Sequence, residues 1–220
     1  MKNKLFTIAI LASLASFATA DSALFDFEAE PGSSPNSTDL TSLTMTDGGS
    51  GFSLTISRDS GAGFGVMDTS PFVGSSFDFP PSWGSRSIDP FGDSTDDWFV
   101  VDFSQGASGF SLELGDFGAD SDDVELEAYS GLGATGSLIN SNMLTGYTGN
   151  MDLDGSGDFL SVSSGVPDIM SVRFRGGSSV QTQSLYYDNF GLEFEAVPEP
   201  ATMAILAAGA TLALRRRKKA

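Results

Sequence analysis

The residues best suited to chemistry in this 220-residue chain are its carboxylates, and two short stretches set them against apolar neighbours. In "FDFEAE" a strand puts Asp26, Glu28 and Glu30 on one face and Phe25 and Phe27 on the other. In "YYDNF" the alternation places Asp188 on the same face as Phe190, Leu192 and Phe194, where a carboxylate is costly unless paired or bound to a cation. If the first and last strands lie near each other, Glu28 and Asp188 can bring oxygen ligands to one calcium ion, which takes about six to eight of them. The other reading leaves Asp188 at the solvated end of its strand, capping a turn.

Other acids point to less. "DLDGSGD" sets Asp152, Asp154 and Ser156 at alternate positions with Gly157 next, as the first half of a calcium loop does. Ser163 stands where that loop needs its bidentate acid, and strand-like "FLSVS" replaces the helix, so the stretch reads as a polar turn. "GADSDDVELEAY" offers Asp120, Asp122 and Asp123 as a solvated loop before a strand. A glycosidase pair needs two carboxyls roughly 5–10 Å apart in a cleft, and no spacing marks such a pair.

With no histidine and no cysteine there is no imidazole base, no Ser-His-Asp triad, no thiol nucleophile and no thiolate metal site. The expectation is a protein that is not an enzyme. A carboxylate-only polysaccharide hydrolase is the catalytic alternative, and a carbohydrate-binding module stacking sugars on Trp83 or Tyr147 is the binding one.

The elements that must position these residues are strands. "FSLTIS" aligns Phe52, Leu54 and Ile56; "GFSLEL" aligns Phe110, Leu112 and Leu114; "DVELEAY" aligns Val124, Leu126 and Ala128. "LFDFEA", "DWFVVDF", "GSLI", "DFLSVS", "IMSVRFR" and "LYYDNFGLEF" bring the candidates to nine. Ser57 to Thr95, broken by Pro71, Pro80, Pro81 and Pro90, reads as long loops with room for one strand, its aromatics capping the sandwich or forming a sugar platform. The fold class expected is all-β: an antiparallel two-sheet β-sandwich, jelly-roll-like, flanked by an N-terminal signal helix and a short C-terminal apolar helix.

The ends are set apart by composition. Lys2 and Lys4, the apolar run Leu5 to Phe17, and Ala18-Thr19-Ala20 form a secretory signal over residues 1–20, with signal-peptidase cleavage beside Ala18 and Ala20 and a mature start at Asp21. Of the 11 Lys and Arg, two lie in that signal and five in Arg215 to Lys219, so residues 21–196 hold only Arg58, Arg86, Arg173 and Arg175 against 28 acids, a formal charge of −24. Such a surface repels nucleic acid and anionic membrane and attracts divalent cations or basic partners.

Residues 197–220 run differently. Pro198 and Pro200 hold Val197-Pro198-Glu199-Pro200 in an extended form that a protease can grip. Ala201 to Leu214 is a 14-residue apolar run, short of the roughly 20 residues of a comfortable span. Arg215, Arg216, Arg217, Lys218 and Lys219 would stay on the cytoplasmic side and stop transfer, so the run suits transient retention in the inner membrane better than a permanent anchor.

That order of parts resembles the PEP-CTERM sorting signal of Gram-negative bacteria, the substrate tail of the membrane peptidases called exosortases. The resemblance implies cleavage near Pro-Glu-Pro and delivery to the cell surface or an extracellular polysaccharide matrix. The passenger, 21–196, is similar to jelly-roll, galactose-binding-like carbohydrate modules through "VVDFSQGASGFSLELGDFGADSDDVELEAYSGLG", "MSVRFRGG" and "YYDNFGLEF". In those modules a structural calcium sits between an acid of an N-terminal "FE" and an Asp of the last strand, which correspond to Glu28 and Asp188. No sugar-contact signature accompanies the likeness.

Overall fold

The computed structural model describes residues 20–32, 39–69, 84–89, 97–116, 121–147, 158–177 and 185–195. The N-terminal segment up to Thr19, the tail from Ala196, Trp83, and Asp120, Asp152, Asp154 and Ser156 lie outside them, as do both expected terminal helices. A compact body spans Ser22–Phe194, and the two ends, Met1–Asp21 with Glu195–Ala220, form a second unit.

The described secondary structure is all β. In chain order the strands are β1 (Ala20–Phe25), β2 (Ser42–Thr46), β3 (Ser53–Arg58), β4 (Gly65–Asp68), β5 (Arg86–Asp89), β6 (Phe99–Asp116), β7 (Asp122–Gly131), β8 (Thr135–Tyr147), β9 (Asp158–Ser163), β10 (Ile169–Gly177) and β11 (Leu185–Glu195). The pairings of β2 to β11 whose registers can be read are all antiparallel.

The 18-residue β6 organises the sandwich. Its first half, Phe99 to Ala107, lies between β3 and β10, in a leaf ordered β2-β3-β6-β10-β7-β8. Its second half lies between β9 and β11, in a leaf ordered β9-β6-β11-β5-β4, with β1 also paired to β11. Ala107 is the changeover, paired with Ile169 of β10 and with Phe194 of β11. Register shifts in both partners at this point move the buried positions of β6 from Phe99, Val101 and Phe103 to Phe110, Leu112 and Leu114. The two strands expected at "DWFVVDF" and "GFSLEL" are therefore one strand, and the Gly- and Ser-rich "SQGASG" between them is its bend.

The inner faces meet in an aromatic core. Phe174 of β10 lies 4.6 Å from Tyr187 and 5.6 Å from Phe190 of β11, and stacks on Phe99 at 5.2 Å. Phe52 meets Phe194 at 4.6 Å, and Phe27 meets Phe190 edge-on at 5.2 Å. Offset and edge-to-face pairs of this kind add roughly 0.5–1.5 kcal/mol each beyond the area they bury.

Several expectations need correction. The first strand ends at Phe25, and Phe27 has φ 58°, so the chain turns and Asp26, Glu28 and Glu30 do not share a strand face. Two short strands, β4 and β5, occupy the stretch expected to hold one, and β2 lacked an apolar alternation strong enough to announce it. Tyr147 is a core residue whose hydroxyl donates to the Leu114 carbonyl at 3.3 Å, so it offers no ring to a sugar.

A candidate metal centre

Asp188 is fully buried, which removes the solvated-end reading. It stands directly opposite Glu113 of β6. A bulge between Asp188 and Gly191, with Asn189 left-handed at φ 47°, reverses the alternation of β11 at this point. Asp188 thus shares its face with Glu113, on the side of the second leaf turned away from Phe190, Leu192 and Phe194, contrary to the simple alternation.

Asn189 bridges the two carboxylates. Its backbone N–H donates to Asp188 Oδ1 at 2.6 Å, and its side-chain Nδ2 donates to Glu113 Oε2 at 2.5 Å. Glu113 is fully buried as well, while Asp188 Oδ2 is buried with no hydrogen-bond partner among the described residues. Burial pushes the Asp188 carboxyl up to about 9; the Asn189 N–H opposes this, and the nearby charges of Glu113, Asp26 and Glu28 add to it. Near neutral pH Asp188 therefore holds a proton unless a cation takes its place.

Glu28 belongs to the same charged neighbourhood but is already engaged. Its Oε1 accepts the Ser85 and Arg86 N–H groups at 2.6 and 2.9 Å, and its Oε2 accepts the Ser85 hydroxyl at 2.8 Å. Gly84, at φ 59°, takes a left-handed backbone conformation that favours glycine, and a Cβ there would also press on the Glu28 carboxylate. The clamp joins the turn after β1 to the start of β5. Asp26 Oδ1 accepts the Glu28 N–H at 3.2 Å. Among the described residues no three acidic side chains converge closely enough to hold a metal ion. A cation at this place would therefore draw on two carboxylates completed by amide or carbonyl oxygens.

Glu113 escaped the sequence reading because alternation in "GFSLEL" assigns it to an outer face and gives no sign that the face is covered. Asp122, expected in a solvated loop, is fully buried at the start of β7 opposite Tyr147, whereas Asp123 is exposed and accepts the Gly146 N–H at 3.0 Å. Ser163 ends β9, exposed. Of the sorting and cleavage residues only Ala20 is described, at the head of β1.

The body's four arginines are all paired: Arg58 with Asp97 at 2.7 Å, Arg86 with Asp68 at 3.0 Å, Arg173 with Glu127 at 2.6 Å and Arg175 with Glu125 at 3.1 Å. Arg173 and Arg175 also lie over the Trp98 ring, 4.2 and 4.4 Å from its centroid.

Residues 196–218 match the model of the PEP-CTERM protein-sorting motif. No curated protein sequence matches the chain. Among solved structures, the chain is similar to the K2 cleaved adhesin domain of Lys-gingipain at 11% identity, with 78% of this chain and 99% of that one covered and a TM-score of 0.45. A DUF4465 family protein from Bacteroides caccae matches at 14% identity, 78% and 98% coverage and a TM-score of 0.42. The K3 cleaved adhesin domain of Lys-gingipain from Porphyromonas gingivalis matches at 13% identity, 80% and 99% coverage and a TM-score of 0.39. These likenesses are too distant to bear on function.

Proposed function

We propose that this chain is a non-enzymatic β-sandwich protein of the cell surface or extracellular matrix of a Gram-negative bacterium, associated there with exopolysaccharide. The observation that carries the reading is the sorting motif at 196–218, which implies export and processing by an exosortase-type membrane peptidase. The precursor is held in the inner membrane by the apolar run, oriented by Arg215 to Lys219, and cut near Pro198-Glu199-Pro200. The −24 charge of residues 21–196 favours bridging by divalent cations to a hydrated polymer. The test is intact mass and fractionation of the native protein with and without its processing peptidase. A product that starts at Asp21, lacks the apolar tail and leaves the inner membrane supports the reading. One that keeps Arg215 to Lys219 and stays in that membrane overturns it.

A structural calcium is part of the proposal. The unpartnered, buried Asp188 Oδ2 suits a cation, with Glu113 beside it; Glu28, committed to Ser85 and Arg86, suits a supporting role at the margin. When bound, the ion supplies positive charge that ties β6 to β11. A chelator that leaves the thermal midpoint of the exported protein unchanged removes this part.

A further inference from the structure

The outer face of the second leaf carries a trough of about 510 Å³ that crosses β9, β6, β11 and β1. Its floor is made mostly of small residues on adjacent strands: Ser161, Ser111 and Gly191 form one row across the sheet, and Ser163, Gly109 and Glu193 the next, with the Glu193 side chain lying over Gly109. Neither Gly109 nor Gly191 has a positive φ, so the backbone does not demand glycine. Gly191 does lie close under Ser111, where an added Cβ would come 2.6 Å from a hydroxyl that can rotate away. Glycine inside a strand weakens it and commonly marks a place where something approaches the sheet closely.

The chemistry of the trough is specific. The hydroxyls of Ser111, Ser161 and Ser163 make no hydrogen bond to any described side chain or backbone group, and so present donors and acceptors outward. Phe159, two residues before Ser161 on the same face of β9 and opposite Glu113, lies outside the trough's own lining and next along the strand from it; it is 62% exposed, while the other described phenylalanines are buried. Leu24, also 62% exposed, lines the trough from β1. Hydroxyl rows beside an exposed ring suit a ligand that is polar at its edge and apolar on its face, as a sugar is. Glu193 in the lining and the −24 charge of residues 21–196 work against an anionic chain. A peptide added as a strand needs a free sheet edge, and β6 and β11, which form the centre of the floor, are paired on both sides.

We propose that this trough is a binding groove for a neutral polysaccharide chain, with Phe159 as its stacking platform and Ser111, Ser161 and Ser163 as its hydroxyl partners. The proposal rests on the exopolysaccharide reading above and locates it on one face of the sandwich. The test is affinity electrophoresis of the exported protein, as the cell processes it, in gels containing the neutral fraction of the producing cells' own extracellular polysaccharide, with the anionic fraction run in parallel. The variants are Phe159→Ala and Ser161→Glu, both at exposed positions, with thermal midpoints measured to verify folding. Retardation in the neutral gel that falls at least tenfold in both variants is the expected result. Retardation by neutral polymer that both variants keep overturns the groove and leaves the exopolysaccharide reading standing. Retardation only in the anionic gel overturns the ligand class, and binding to neither fraction overturns groove and reading together.

Discussion

Asp188 is a carboxylic acid that the fold buries completely, at a cost to its charged form. Its unfolded pKa is about 3.9 and its folded value about 9, so the folded state favours the protonated form. In metal-free protein that contribution is complete below about pH 4 and is lost as the pH rises toward 9. We expect the thermal midpoint in EDTA to fall steadily between about pH 5 and 8, and Asp188→Asn, which fixes the neutral form, to flatten the fall. Added calcium should restore the wild type at pH 8 and leave the variant unmoved; an equal fall in the variant would show that another group is responsible. Glu28 predicts differently, because its carboxylate accepts three hydrogen bonds at the start of β5. Glu28→Ala should cost about 1–2 kcal/mol at neutral pH, read by urea denaturation, since charge-assisted bonds at a partly solvated site are worth that much.

At the scale of elements, β6 depends on a bend at which Gly106 lets the chain pass close to Pro167. A Cβ on Gly106 would overlap the Pro167 carbonyl oxygen, a backbone atom that cannot rotate away. Gly106→Ala should destabilise the protein by about 1–3 kcal/mol, whereas Gly165→Ala, with open space around it, should be nearly silent. Equal midpoints for the two variants would mean that the chain shifts freely at the crossing. This bend also marks how far the sequence can be read. The alternation in β3, β7 and β9 is regular, and those strands are legible residue by residue, whereas β10 changes step at a register shift, its buried positions passing from Ile169 and Ser171 to Val172 and Phe174. "SQGASG" carries turn composition but is held in a strand by partners on both sides, and only tertiary pairing decides that. The bulge at Asp188 and Asn189 is hidden for a related reason, since one inserted residue changes which face a side chain takes without changing composition. That is why Asp188 could be singled out from sequence while its neighbour Glu113 could not. The strands β4 and β5 have four residues each, too few for a period to show.

Over the whole molecule the balance is electrostatic. Since all four arginines of the body are already paired, most of its 28 acids have no cation opposite them, and their mutual repulsion opposes compaction. Monovalent salt shortens the screening length from about 30 Å at 0.01 M to about 8 Å at 0.15 M. The thermal midpoint should therefore rise over that range; a fall would show that the arginine pairs outweigh the repulsion. The pairing of β1 with β11 has a further consequence, one of timing. The first strand of the body finds its neighbour only when the last has been made, and at about 5–20 residues per second that wait is on the order of ten seconds or more. The second half of β6 waits for the same strand, so the second leaf is the last part of the sandwich to be finished. A chain emerging from the export channel stays incomplete until Glu195 has cleared it, with the sorting motif at 196–218 next in line. Closure of the sandwich and arrival of the processing signal are thus successive moments of one emergence.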